Sequence, residues 1–141
     1  MTKRDKLAAA IHYAVNVEWS EKPFQWGKSD CLLALADILN RALGYDPASP
    51  FRGRYKTALG AARITKEYGG FAGALEWQAK NHRWLEISPI DGKVGDIGLV
   101  LNAKGPRCGV ICYGNFWVGR SPGTGIAAIE SNYVVKAWRV T

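Results

Sequence analysis

Residues 24 to 39 read Phe-Gln-Trp-Gly-Lys-Ser-Asp-Cys followed by Leu-Leu-Ala-Leu-Ala-Asp-Ile-Leu, and this stretch constrains the chain more than any other. Trp26 and Gly27 make a stop, and Ser29 or Asp30 can accept a hydrogen bond from a free backbone amide as N-cap. Leu32, Leu35 and Leu39 then recur on one helical face. The pattern predicts a buried helix over residues 30–43, ended by Gly44 as a natural C-terminal cap. Cys31 falls in its first turn, where the positive end of the helix dipole favours the thiolate, the nucleophilic form of cysteine. Two readings of Cys31 stand side by side: a reactive thiol, or a small apolar residue buried under a helix start.

Around this helix the apolar spacing predicts three more. Residues 6–17 carry Leu7, Ile11 and Ala14/Val15 at helical intervals, with His12 as a partly exposed helix residue. Residues 56–68 place Leu59, Ala62 and Ile64 inward and close at Gly69-Gly70, and residues 71–81 carry Leu75 and Trp77. After Asn81 the period changes. Residues 84–87, 97–101, 108–113, 116–119, 125–129 and 135–140 are short apolar or alternating runs separated by Gly, Pro and Asn, the pattern of an antiparallel meander. Helices first and strands afterwards predict an α+β fold, one domain over 1–141. Its helical part is about 1–81, packed on a C-terminal antiparallel sheet of about five strands over about 82–141.

Composition narrows the function classes. A chain of 141 residues, 48% hydrophobic and 22% charged, has the balance of a globular domain. No apolar run approaches the ~20 residues that cross a bilayer, so neither a membrane span nor a secretion signal is expected. Three cysteines argue against a disulfide framework. Cys108 and Cys112 on one extended strand lie roughly 13 Å apart and cannot bridge each other. Neither a metal site nor a cofactor is expected, because no histidine or second cysteine pair stands at ligand spacing. The net charge of +7 attracts anionic partners, but no Lys/Arg block exceeds two residues. The charge therefore reads as a solvated basic surface, without specific nucleic-acid binding. The six tryptophans at 19, 26, 77, 84, 117 and 138 are open to two readings, as core or as a sugar-stacking groove.

Phe24-Gln25-Trp26-Gly27 before Ser29-Asp30-Cys31, with Val94-Gly95-Asp96-Ile97 opening the strand region, resembles the NlpC-type peptidoglycan hydrolases, papain-like cysteine peptidases. The likeness is closest to small members encoded among phage tail genes. Arg52-Gly53-Arg54-Tyr55 with Thr57, Gly60-Ala61-Ala62-Arg63, and Lys136-Ala137-Trp138-Arg139-Val140 resemble an uncharacterised phage and prophage branch of that superfamily. The resemblance implies an NlpC-like fold with Cys31 as nucleophile and Trp26, Asp30 and Arg107 as binding residues. It also implies a place in the phage tail tip or baseplate, made in the bacterial host cytoplasm, with other tail tip or hub proteins and peptidoglycan as partners.

In active members a histidine begins the strand after the Gly-Asp strand and removes the thiol proton. The matching stretch here is Pro106-Arg107-Cys108-Gly109-Val110-Ile111, which puts Arg107 at the histidine position. Arginine can pair with a thiolate but cannot act as general base at neutral pH. The next strand, from Phe116 to Gly119, offers no evident orienting side chain. A base would have to come from elsewhere, with His82 as the candidate, while a register shift of one would point Cys108 instead of Arg107 at Cys31. The expectation is a tail component that has lost hydrolase activity; the alternative is an active cysteine endopeptidase or amidase that opens the wall during genome entry.

Overall fold

The computed structural model describes residues 1–101, 108–122 and 125–141. Among them are four α-helices followed by a six-stranded antiparallel sheet, so the α+β order read from the sequence holds, with six strands in place of about five.

Helix α1 (Lys3–Tyr13) begins earlier than its apolar spacing announces, because Thr2 and Asp5 cap it reciprocally. The Thr2 hydroxyl accepts from the Asp5 amide at 3.0 Å and the Asp5 carboxylate accepts from the Thr2 amide at 3.1 Å. It runs on through a π-helical stretch, Ala14–Glu18, and a last turn, Trp19–Glu21. Leu7, Ala10, Ile11 and Ala14 form its buried stripe. Helix α2 (Cys31–Leu43) ends at Gly44 in the left-handed conformation, φ 81°. Its first six residues, Cys31 to Ala36, are all buried, because α1 covers one side and the sheet the other. Helices α3 (Ala58–Lys66) and α4 (Gly70–Asn81) pack on each other. Leu59 and Ala62, expected inward, are exposed; the covered side of α3 is Ala61, Ile64 and the buried Thr65, whose hydroxyl is satisfied by the Ala61 carbonyl at 2.9 Å.

The strands are β1 (Leu85–Ile87), β2 (Ile97–Val100), β3 (Cys108–Cys112), β4 (Trp117–Ser121), β5 (Gly125–Ile129) and β6 (Val134–Arg139). Their order is β1-β6-β2-β3-β4-β5, so β2 to β5 form the expected meander while β6 returns to pair with both β1 and β2. Alternation gives the sheet two apolar faces. Ile97, Leu99, Ile111, Val118 and Trp138 face the helices in the main core. Val110, Cys112, Trp117, Val134 and Ala137 form a smaller cluster on the other face. Trp19, Trp84, Trp117 and Trp138 are buried, and Trp26 and Trp77 are half-buried, so most of the aromatic payload is core.

The Gly-Asp motif before β2 and the Trp-Arg pair ending β6 are partners. Asp96, 1% exposed, accepts from Arg139 Nη2 at 2.9 Å and from the Lys93 amide at 2.8 Å. Gly95 has φ +97°, a backbone conformation that favours glycine, and a β-carbon there would stand 2.6 Å from Leu7 Cδ1, so Leu7 of α1 would have to shift.

Candidate functional site

Cys31 opens α2 and is 8% exposed. Of the two N-cap candidates, Asp30 takes the role. Its Oδ1 accepts from the Leu32 and Leu33 amides at 3.1 and 3.0 Å, and its Oδ2 accepts from the Gly27 amide at 2.8 Å and the Tyr55 hydroxyl at 2.7 Å. Asp30 itself is 1% exposed, so this buried carboxylate is held by four donors. Gly27 lies at φ +82°, and a β-carbon on it would sit 2.0 Å from the Tyr55 carbonyl oxygen. The Trp-Gly-x-x-Asp-Cys signature and Tyr55 of Arg-Gly-Arg-Tyr are therefore one locked unit: only glycine permits the contact, and only then does the tyrosine reach Asp30. Burial, followed by the Asp30 charge, pushes the Tyr55 phenol well above its ordinary range. Arg52 of the same motif faces outward from this unit and pairs with Asp46 and Asp37, both at 2.5 Å.

The group that meets Cys31 is a second thiol, Cys108 at the start of β3. Both line a cavity of about 230 Å³, together with Phe24, Trp26 and Arg120. The interaction with Cys108, then burial, then the Cys108 and Asp30 charges hold the Cys31 thiol well above its ordinary range, against a smaller opposing pull from the Gly109 amide. The same contact with Cys31 pulls Cys108 down. Within the pair the two thiols are thus shifted in opposite directions, Cys31 up and Cys108 down. The Cys108 thiol also lies 3.3 Å from the Gly109 carbonyl and 3.8 Å from that of Arg120. The contact with Cys108, with burial second, overrides the helix dipole that the position of Cys31 invites one to invoke.

Neither histidine reaches this site. His82 caps the C-terminal end of α4 and stacks on Tyr45, ring centroids 4.6 Å apart. Tyr45 follows the last turn of α2, so His82 stands at the end of that helix opposite Cys31, about 20 Å away by the helical rise. The candidate base is held by aromatic stacking instead. His12 is exposed, with Nδ1 2.8 Å from the Tyr113 hydroxyl, just past the end of β3 opposite Cys108. Arg107, the other sequence candidate, lies outside the described residues.

Arg120 on β4 is the residue that the sequence reading passed over. It is 1% exposed, and its partners are backbone carbonyls: Nε donates to Ser29 at 3.2 Å, Nη1 to Trp19 at 2.8 Å and Nη2 to Lys22 at 2.5 Å. Its guanidinium also lies 5.7 Å from the Trp19 ring centroid. It ties the segment leading to Cys31 onto the sheet. The signal available in the sequence was one arginine directly after the apolar run 116–119, in phase with Val118 and so on the helix-facing side.

Cys31 and Asp30 also line a larger, mainly apolar cavity of about 450 Å³, walled by Trp26, Tyr55, Ala58, Ala61, Thr65 and Phe71. Among the described residues no cluster of metal-binding side chains is present, and no helix is long and apolar enough to cross a membrane. No curated protein matches the chain. A family model described as a domain of unknown function (DUF6950) matches residues 3–140. With all but the first two residues and the last inside that match, the chain belongs to the DUF6950 family.

Proposed function

We propose that this protein is a structural component of a phage tail tip or baseplate, with an NlpC-like fold that no longer hydrolyses peptidoglycan. The observation that carries the reading is the pairing of Cys31 with a thiol while His82 and His12 are held elsewhere. Amide cleavage by cysteine needs a base to take the thiol proton and return it to the leaving amine. Neither His82 nor His12 stands beside the pair to perform these steps. The motifs behind the resemblance have structural work that accounts for their presence: Gly27, Asp30 and Tyr55 fix the start of α2, and Asp96 with Arg139 joins β2 to β6.

The surface suits docking on tail hub proteins. It carries a net charge of +7, with Leu59, Leu85, Ile90 and Tyr133 each more than half exposed. Peptidoglycan remains a partner for binding, not for turnover.

The test pairs chemistry with assembly. Folded protein is incubated with purified peptidoglycan and soluble products are followed by mass spectrometry, while Cys31→Ala replaces the natural protein in the phage or prophage that encodes it. No released peptide and intact assembly are expected. Cysteine-dependent release, or particles that fail to assemble with Cys31→Ala although the variant folds, overturns the reading.

A further inference from the structure

We propose that Cys31 and Cys108 form a thiol–disulfide exchange site, oxidised to an intramolecular disulfide by a low-molecular-weight disulfide. The inference does not depend on the tail assignment, because it rests on the two sulfurs and the cavity they share.

Four observations carry it. The two cysteines, 77 positions apart in sequence, interact with each other and line one cavity of about 230 Å³. Cys108 is half-buried and Cys31 is 8% exposed, so an entering reagent meets Cys108 first. The directions in which the pair shifts its thiols agree with that order, down for Cys108 and up for Cys31. Finally, Arg120 fixes both sides of the contact: it donates to the Ser29 carbonyl two residues before Cys31, and its own carbonyl lies 3.8 Å from Cys108 Sγ. Cys112, the remaining cysteine, lies beyond reach along β3, is 1% exposed and turns toward the Gly114 carbonyl at 3.5 Å.

The exchange balances in two steps. The Cys108 thiolate attacks one sulfur of the small disulfide, forming a mixed disulfide and releasing one small thiolate, which takes up the proton that Cys108 gave to solvent. Cys31 then attacks the Cys108 sulfur of the mixed disulfide, its proton passing to the second departing small thiolate. Two protein thiols are oxidised to one disulfide, and one small disulfide is reduced to two small thiols. The product links the first turn of α2 to the first residue of β3 and divides the cavity between them.

The experiment treats the full-length protein with oxidised glutathione, then measures intact mass and maps peptides without reduction. The expected result is a product two hydrogens lighter, a peptide joining Cys31 to Cys108, loss of both thiols from alkylation at the same rate, and full recovery with dithiothreitol. Cys31→Ser should stop at a glutathione adduct on Cys108, and Cys108→Ser should react with glutathione many-fold more slowly than the natural protein. If either variant fails to fold, the natural protein alone decides the matter through its linked peptide. A stable glutathione adduct on natural protein, a link involving Cys112, or two unchanged thiols overturns the proposal.

Discussion

Asp30 satisfies four donors with one buried carboxylate, and they come from three different parts of the fold: the first turn of α2, the Trp26-Gly27 stop, and Tyr55. Replacing it with Ala removes an N-cap, worth about 1 kcal/mol, and strands the Tyr55 hydroxyl in a buried place, worth about 1–3 kcal/mol. Asp30→Ala should therefore lose about 3 kcal/mol of stability in urea unfolding, and Asp30→Asn clearly less, since the amide oxygen still caps. A Cys31→Ala change at the next position removes a small buried side chain without breaking this network. Equal losses for Asp30→Ala and Cys31→Ala would refute the central role given to the carboxylate. The same locality explains what was readable here: a cap, a glycine stop and a leucine stripe are neighbours in sequence, whereas Tyr55 is 25 residues away and its role was not.

At the scale of elements, Arg120 joins β4 to the segment between α1 and α2. Three carbonyl partners spread over residues 19 to 29 hold a connection that has little regular structure of its own. In Arg120→Met the carbonyls lose these donors while the apolar volume is largely kept. Amide hydrogen exchange of residues 19–29 should accelerate by tenfold or more, with β2 and β6 protected as before. Uniform acceleration across the sheet would mean that Arg120 supports the whole core and not this connection. The strand positions were legible from period and punctuation, and all six apolar runs became strands. The pairing order was not: nothing local to residues 134–139 tells β6 to insert between β1 and β2, a choice made by Asp96 meeting Arg139 and Ile97 meeting Trp138, 43 and 41 positions apart in the chain. Likewise the inward side of α3 followed the position of α4 and not the largest residues, leaving Leu59 in solvent.

For the whole molecule, stability is tied to protons held by buried neutral acids. Tyr55 has its phenol raised by burial and by Asp30, so the folded state keeps a proton that the unfolded chain releases near the ordinary value of 10.0. A raised folded value means that the contribution is complete below pH 10 and is lost as pH climbs beyond it. The melting temperature should fall steeply above pH 10, and Tyr55→Phe, which cannot ionise, should be less stable at pH 8 yet lose less between pH 8 and 11. A parallel fall in both proteins would place the alkaline sensitivity elsewhere.

The sequence by itself determined the class of fold, the place and cap of the central helix, the segments that become strands, and the absence of a histidine just ahead of Gly109, because these follow from spacing, turn chemistry and residue identity along short stretches. The tertiary structure alone decided what surrounds Cys31. It brought Cys108 to that sulfur, buried Arg120 against three carbonyls and carried His82 to the far end of α2. Burial and long-range contact set the chemistry of a thiol, and neither is encoded within the helix turn that holds it.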